Sequence, residues 1–127
     1  MHSAVSQGKR LVAIRGATTV DSNTAAAMRE AVSELLDALL SRNLMAVDDL
    51  LSLIFSVTTD LDAIFPASVA RHRPGWDGIA LLDTQQMAVR GDLKHCIRLL
   101  AQGWIAADRC PDNPYLRGAV VLRSDRS

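Results

Sequence analysis

The sequence predicts a single domain of the α+β or α/β class, with helices covering one face of a sheet, on the strength of three observations. Short apolar runs at residues 9–15, 51–57, 79–83 and 119–122 have strand length and are bounded by turn-forming residues. The stretch after Asp21 repeats apolar residues at helical spacing as far as Arg42. Strand-like and helical patterns then interleave to the end of the chain. A length of 127 residues is that of one domain. An apolar fraction of 49% is ample for a core, and on so short a chain it fits a protein that buries surface against other subunits.

Each element has a local reason. In the first strand Leu11 and Ala13 face one side, and Val12 and Ile14 the other. Arg15 stands at the strand's end, before Gly16 frees the backbone, and an arginine held there by rigid structure suits an anion. Ser22, Asn23 or Thr24 caps a helix that runs to Arg42 with Met28, Val32, Leu35, Leu36, Leu39 and Leu40 on one face, and Asn43 offers a stop. Residues 47–49 read as a connector of one helical turn, and 51–57 as a buried strand broken by Thr58-Thr59-Asp60. Pro66 suits the first turn of a short helix over 66–71. Residues 74–78, Pro-Gly-Trp-Asp-Gly, form a turn before a strand at 79–83 and the polar Thr84-Gln85-Gln86.

Residues 91–102 fit an amphipathic helix with Leu93, Ile97, Leu100 and Ala101 inward, Lys94 and Arg98 on another face, and Gly103 as its end. Residues 108–114 read as loop and 119–122 as a last strand. The domain is expected to span 9–124, between a flexible tail at 1–8 and a short tail at 125–127.

Composition excludes several functions. Fourteen basic residues balance fourteen acidic ones, so no overall field favours nucleic acid. No apolar run approaches the roughly 18 residues of a membrane span, and the first eight residues lack the apolar stretch of a signal peptide. A cytoplasmic protein is expected. Cys96 and Cys110 have no CxxC spacing, so Cys96 is expected to be a buried free thiol rather than half of a disulfide. His2, His72 and His95 have no metal-ligand spacing. Neither a metal nor a cofactor is expected.

The residues that remain with chemical potential are arginines: Arg15, Arg71, Arg98 after Lys94-His95-Cys96-Ile97, and Arg123 after Val120-Val121-Leu122. Tyr115, the only tyrosine, precedes the last apolar run. There is no Ser–His–Asp or Cys–His arrangement, no glycine-rich phosphate loop and no carboxylate pair set for acid–base work. Chemistry built on these residues would use cations and shape, and several arginines with one phenol suit a small dianion carrying two carboxylates.

Ile14-Arg15-Gly16-Ala17-Thr18-Thr19-Val20, Phe65-Pro66-Ala67 with Arg71 beyond, Lys94-His95-Cys96-Ile97-Arg98, and Tyr115-Leu116 leading to residues 119–123 resemble, in order and spacing, the trimeric AroH-class chorismate mutases. The resemblance covers residues 11–124. It implies the Bacillus-type chorismate mutase fold: an α+β subunit with a mixed sheet and helices on one face, assembled as a homotrimeric pseudo-barrel with active sites at the subunit interfaces. The implied reaction is the Claisen rearrangement of chorismate to prephenate in aromatic amino-acid biosynthesis. By resemblance, Arg98 is the cation beside the ether oxygen, Arg15 binds a substrate carboxylate, and Tyr115 hydrogen-bonds the enolpyruvyl side. Phe65 lines the pocket from the neighbouring subunit, and Arg71 and Arg123 add positive potential at its mouth. Leu82, Asp83, Thr84, Gln85, Gln86 and Leu122 complete the substrate-binding set.

The chain departs from the family at three of these positions. Ser68 stands where many members carry a lysine, Gln86 where they carry a glutamate, and Asp83 where they carry a cysteine. Glutamine accepts the substrate's hydroxyl but carries no charge to balance Arg98. Asp83 could restore the carboxylate if the chain there bends out of the strand. Two other functions are open at this point: a non-catalytic trimer that binds small acids, and an imine-hydrolysing trimer of the reactive-intermediate deaminase type.

Overall fold

The computed structural model describes residues 5–6 and 8–126, with the side chains of 5–6 and 124–126 left aside. The other residues of the expected tails, 1–4, 7 and 127, lie outside the described residues. Five strands form one sheet in the order β1-β2-β5-β3-β4: β1 (Val5–Ser6), β2 (Lys9–Thr19), β3 (Leu50–Val57), β4 (Ala80–Gln85) and β5 (Cys96–Ala106). Only β3 and β4 are parallel. β2 and β5 pair along their whole length, from Lys9 opposite Ala106 to Thr19 opposite Cys96.

The two sheet faces differ by the simple alternation of side chains along a strand. Val12, Ile14, Leu53, Phe55, Ile97, Leu99, Ala101 and Ile105 are buried on one face. Helix α1 (Ala25–Asn43) covers them with Met28, Ala31, Val32, Leu35, Leu36 and Leu39, all fully buried. Each such Leu, Ile or Phe removed from water contributes about 1.5–3 kcal/mol, which is why α1 holds its place. Thr24 caps α1 by accepting the Ala27 N–H at 3.1 Å, and Leu44 in the left-handed region ends it. The short helix α2 (Pro66–Arg71) lies in the crossover between β3 and β4 and packs against α1. The opposite face of the sheet carries Arg15, Leu100, Ile54 and Leu82 in one cross-strand row and Ala17, Arg98, Ser56 and Thr84 in the next.

Several expectations are corrected. The stretch expected to be a helix at 91–102 is a turn followed by β5. Ile97, Leu99, Ala101 and Ile105 alternate inward as a strand, and this β-rich central run pairs on both sides. Gly103 does not end an element but lies inside β5, where a Cβ would come within 2.7 Å of both the Asp49 carbonyl oxygen and Met45 Cε. The run at 119–122 is part of a 3-10 helix, Arg117–Arg126, which carries on past the expected domain end at residue 124. A four-residue apolar run fits either geometry, and here Ala119 and Leu122 turn back onto Cys96 and Tyr115. Finally, Val5–Ser6, expected in a flexible tail, pairs with Arg10 and Lys9.

Two polar devices fix the segment that follows β5. Asn43, buried at the end of α1, donates to the Leu39 and Asp112 carbonyls at 2.9 Å each and accepts the Asp112 N–H at 2.8 Å. Beyond it the chain runs beside β2: Asn113 accepts the Arg15 N–H, the Pro114 carbonyl accepts the Ala17 N–H, and the Ala17 carbonyl accepts the Leu116 N–H. Gly16 permits this approach, since a Cβ there would stand 2.9 Å from the Pro114 oxygen. Its role is space for a neighbour rather than a turn, and Arg15 lies inside β2 rather than at its end.

Candidate active site

The open face of the sheet holds a cleft of about 290 Å³ lined by Arg15, Gly16, Ile54, Ser56, Arg98, Leu99, Leu100, Tyr115 and Leu122. β2 supplies Arg15, β5 Arg98, the 113–116 segment Tyr115, and the 3-10 helix Leu122. Arg15 and Arg98 reach one cleft because they lie in successive cross-strand rows, Arg15 opposite Leu100 and Ala17 opposite Arg98. Tyr115 is buried and bridges to Ala17. The Arg15 guanidinium has no ion pair among the described residues. Gln86 belongs to this side too: its side-chain oxygen accepts the Ser56 hydroxyl at 2.6 Å, and Ser56 is the cross-strand neighbour of Arg98.

A second, larger cavity of about 630 Å³ is lined by Phe65, Pro66, Ser68, Asp83, Thr84 and Gln85 together with the 57–64 connection. Phe65 on its rim is 73% exposed. Asp83 is on the covered face, since its cross-strand neighbours are Phe55 and, beyond it, Leu99. Its carboxylate accepts the Ala67 N–H at 3.0 Å at the start of α2. Partial burial raises its pKa, against the opposing pull of that N–H and of Arg71. The condition under which Asp83 would replace the missing acid within its own subunit is therefore not met: β4 does not bend out, and Asp83 and Arg98 are on opposite faces.

The remaining expected residues are dispersed. Leu82 is exposed beside Ile54 on the open face. Arg71 ends α2 near Asp83, and Arg123 is exposed on the 3-10 helix; neither lines either of these two cavities. Cys96 is buried, which raises its thiol pKa, in β5 rather than in a helix. Among the described residues no group of three His, Cys, Asp or Glu side chains could hold a metal ion.

Two residues in this region escaped sequence reasoning. One is Ser56, hidden because only strand register reveals that it stands between Gln86 and Arg98. The other is Asp92, whose carboxylate meets the Arg98 guanidinium at 2.9 Å and 3.5 Å. A helix over 91–102 would have set residues 92 and 98 about 240° apart, on different faces.

A cleft with two cations, one phenol and apolar walls, on an α+β scaffold whose sheet face is otherwise uncovered, is suited in charge and shape to a small organic anion. The chain belongs to the family described as chorismate mutase type I, whose profile matches residues 11–126. It is 36% identical over 116 residues to the chorismate mutase AroH of Bacillus subtilis (strain 168), covering 90% of this chain and 91% of that protein. To the chorismate mutase AroH of Thermus thermophilus it is 40% identical over 116 residues, covering 88% and 93%. A solved chorismate mutase from Clostridium thermocellum superposes with a TM-score of 0.79 at 41% identity, covering 87% of this chain and 98% of that one.

Proposed function

We infer that the chain is an enzyme that rearranges chorismate to prephenate. The observation that carries this reading is the convergence of Arg15, Arg98 and Tyr115 on one cleft of a chain that belongs to the chorismate mutase family. The rearrangement breaks an ether C–O bond as a C–C bond forms, within one molecule. No nucleophile is required, and the Ser56 hydroxyl in the cleft is engaged by Gln86. Catalysis then comes from two sources. Arg15 and Tyr115 hold the dicarboxylate in its folded, reactive conformer. Arg98 is a fixed cation beside the ether oxygen, where negative charge grows in the transition state.

The enzyme works as a homotrimer in which the cleft of one subunit meets the larger cavity of the next. Supporting this are the exposed apolar side chains Ile54, Leu82 and Leu100 on the uncovered sheet face and the exposed Phe65. On this reading Phe65, Thr84 and Gln85, with Leu82 and Asp83, approach the substrate from the neighbouring subunit. Asp83 would meet Arg98 only across that contact. Arg71 and Arg123 contribute positive potential at the mouth, and Gln86 accepts the substrate hydroxyl. The enzyme acts in the cytoplasm; no described helix is long and apolar enough to cross a membrane.

The test is loss of chorismate absorbance on adding purified protein, with light scattering on the same sample. Turnover and a trimer mass are expected. An inert protein would overturn the catalytic reading, and a monomer mass at micromolar concentration would overturn the shared site.

A further inference from the structure

Arg98 needs a partner to fix its orientation, since a long side chain at the surface otherwise samples many rotamers. The residues beside it offer three candidates. Gln86 is neutral, and its oxygen accepts the Ser56 hydroxyl rather than a guanidinium N–H. Within the same chain Asp83 is on the other face of the sheet, holding the start of α2. Asp92 is in direct contact, with both carboxylate oxygens turned to the two terminal guanidinium nitrogens.

Asp92 is itself held in place. Its N–H donates to the Val89 carbonyl at 3.1 Å, closing a turn in which Gly91 takes a φ of 83°. Its carboxylate also accepts the Leu93 N–H at 2.8 Å. Leu93 in turn packs on the buried group of Ala17, Cys96, Tyr115 and Ala119. The pair is about three-quarters shielded on both sides, with side-chain exposures of 24% for Arg98 and 22% for Asp92. A guanidinium has five N–H groups, so two bonds to Asp92 leave three for a ligand in the cleft.

We propose that Asp92 is the positioning residue of this active site: it holds the Arg98 guanidinium in its working orientation and supplies the balancing negative charge that neutral Gln86 cannot. This rests on Arg98 being the catalytic cation. Misplacing such a group by about 1 Å costs up to about 100-fold in rate. Removing the pair therefore lowers kcat while leaving KM, set mainly by Arg15 and Tyr115, close to its original value.

The experiment compares kcat and KM of Asp92→Asn, Asp92→Gly, Asp92→Glu and Arg98→Lys, and the double variant Asp92→Asn/Arg98→Lys, each checked for an unchanged circular dichroism spectrum and assembly mass. Expected are a fall in kcat of about 10- to 100-fold for Asp92→Asn and Asp92→Gly with KM within about threefold, as for a misaligned catalytic group. Partial recovery is expected in Asp92→Glu, and a much smaller effect of Asp92→Asn once Arg98 is lysine. An unchanged or higher kcat in Asp92→Asn and Asp92→Gly would overturn the proposal, because Asp92 would then only compete with substrate for Arg98. If Arg98→Lys retained full kcat, the assignment of Arg98 would fail first, which separates the two failures.

Discussion

The two faces of the sheet are made by the same strands and share almost nothing else. On the covered face Ile14, Leu53, Phe55, Ile97 and Leu99 meet α1 in a dry core. On the open face their immediate neighbours Arg15, Ile54, Ser56, Arg98 and Leu100 line a cleft. A period of two thus separates stability from chemistry within single strands, and Leu99 and Arg98 are one residue and one face apart. Stability and activity should therefore respond to different substitutions, even at adjacent positions.

The largest expected effect is on the covered face. Phe55→Ala should lower unfolding free energy by about 3–5 kcal/mol, read from urea denaturation, because Phe55 is fully buried and its cavity cannot refill. The variant should retain most of its kcat at a temperature where it stays folded; a specific loss of kcat would show that the faces are mechanically coupled. Next is Arg98→Ala on the open face. Loss of a fixed donor to developing charge costs about 10²–10³ in kcat, and the denaturation midpoint should barely move. A kcat close to wild type would place the catalytic cation elsewhere.

Asp83 sharpens the comparison from the covered side. Its pKa is raised on folding, so the native state binds more protons than the unfolded chain between the two values. Its contribution to stability therefore declines as pH rises from the ordinary carboxylate range, about 3.9, through the raised folded value. Asp83→Asn keeps an oxygen for the Ala67 N–H and should lack that part of the slope. Identical pH–stability curves for the two proteins would mean that Asp83 stays solvated. The smallest effect belongs to Gln86→Glu. With Asp92 already on Arg98, a second carboxylate nearby pushes one of the two toward its neutral form, so kcat should change by only about threefold. A large gain would show that the native site lacks an effective carboxylate.

Where one periodicity fits a segment, the sequence discloses the element. α1 carries its cap at Thr24 and a continuous apolar stripe, β2 and β3 alternate or run apolar between breakers, and α2 begins at a proline. β5 was not legible because Leu93, Ile97, Leu100 and Ala101 satisfy a helical stripe, while Ile97, Leu99, Ala101 and Ile105 satisfy a strand. Pairing with β2 and β3 decides the matter, and pairing is not written in local sequence. The site divides the same way. Arg15, Arg98, Tyr115 and Leu122, which the family resemblance singles out, line one cleft. Ser56 and Asp92 depend on register and on the turn at Gly91, so the helical stripe that hides β5 hides Asp92 as well.

The Arg15 N–H meets Asn113 across 98 positions of sequence, and most of the chain lies between Arg15 and Tyr115. Contacts of such long range form late, after the loop between them has closed. During synthesis, which proceeds from the N-terminus, β2 and α1 emerge and can pack long before residues 113–116 leave the ribosome. The nascent chain thus carries Arg15 with no cleft around it until Tyr115 and Leu122, which line the cleft beside it, have joined β2 and β5.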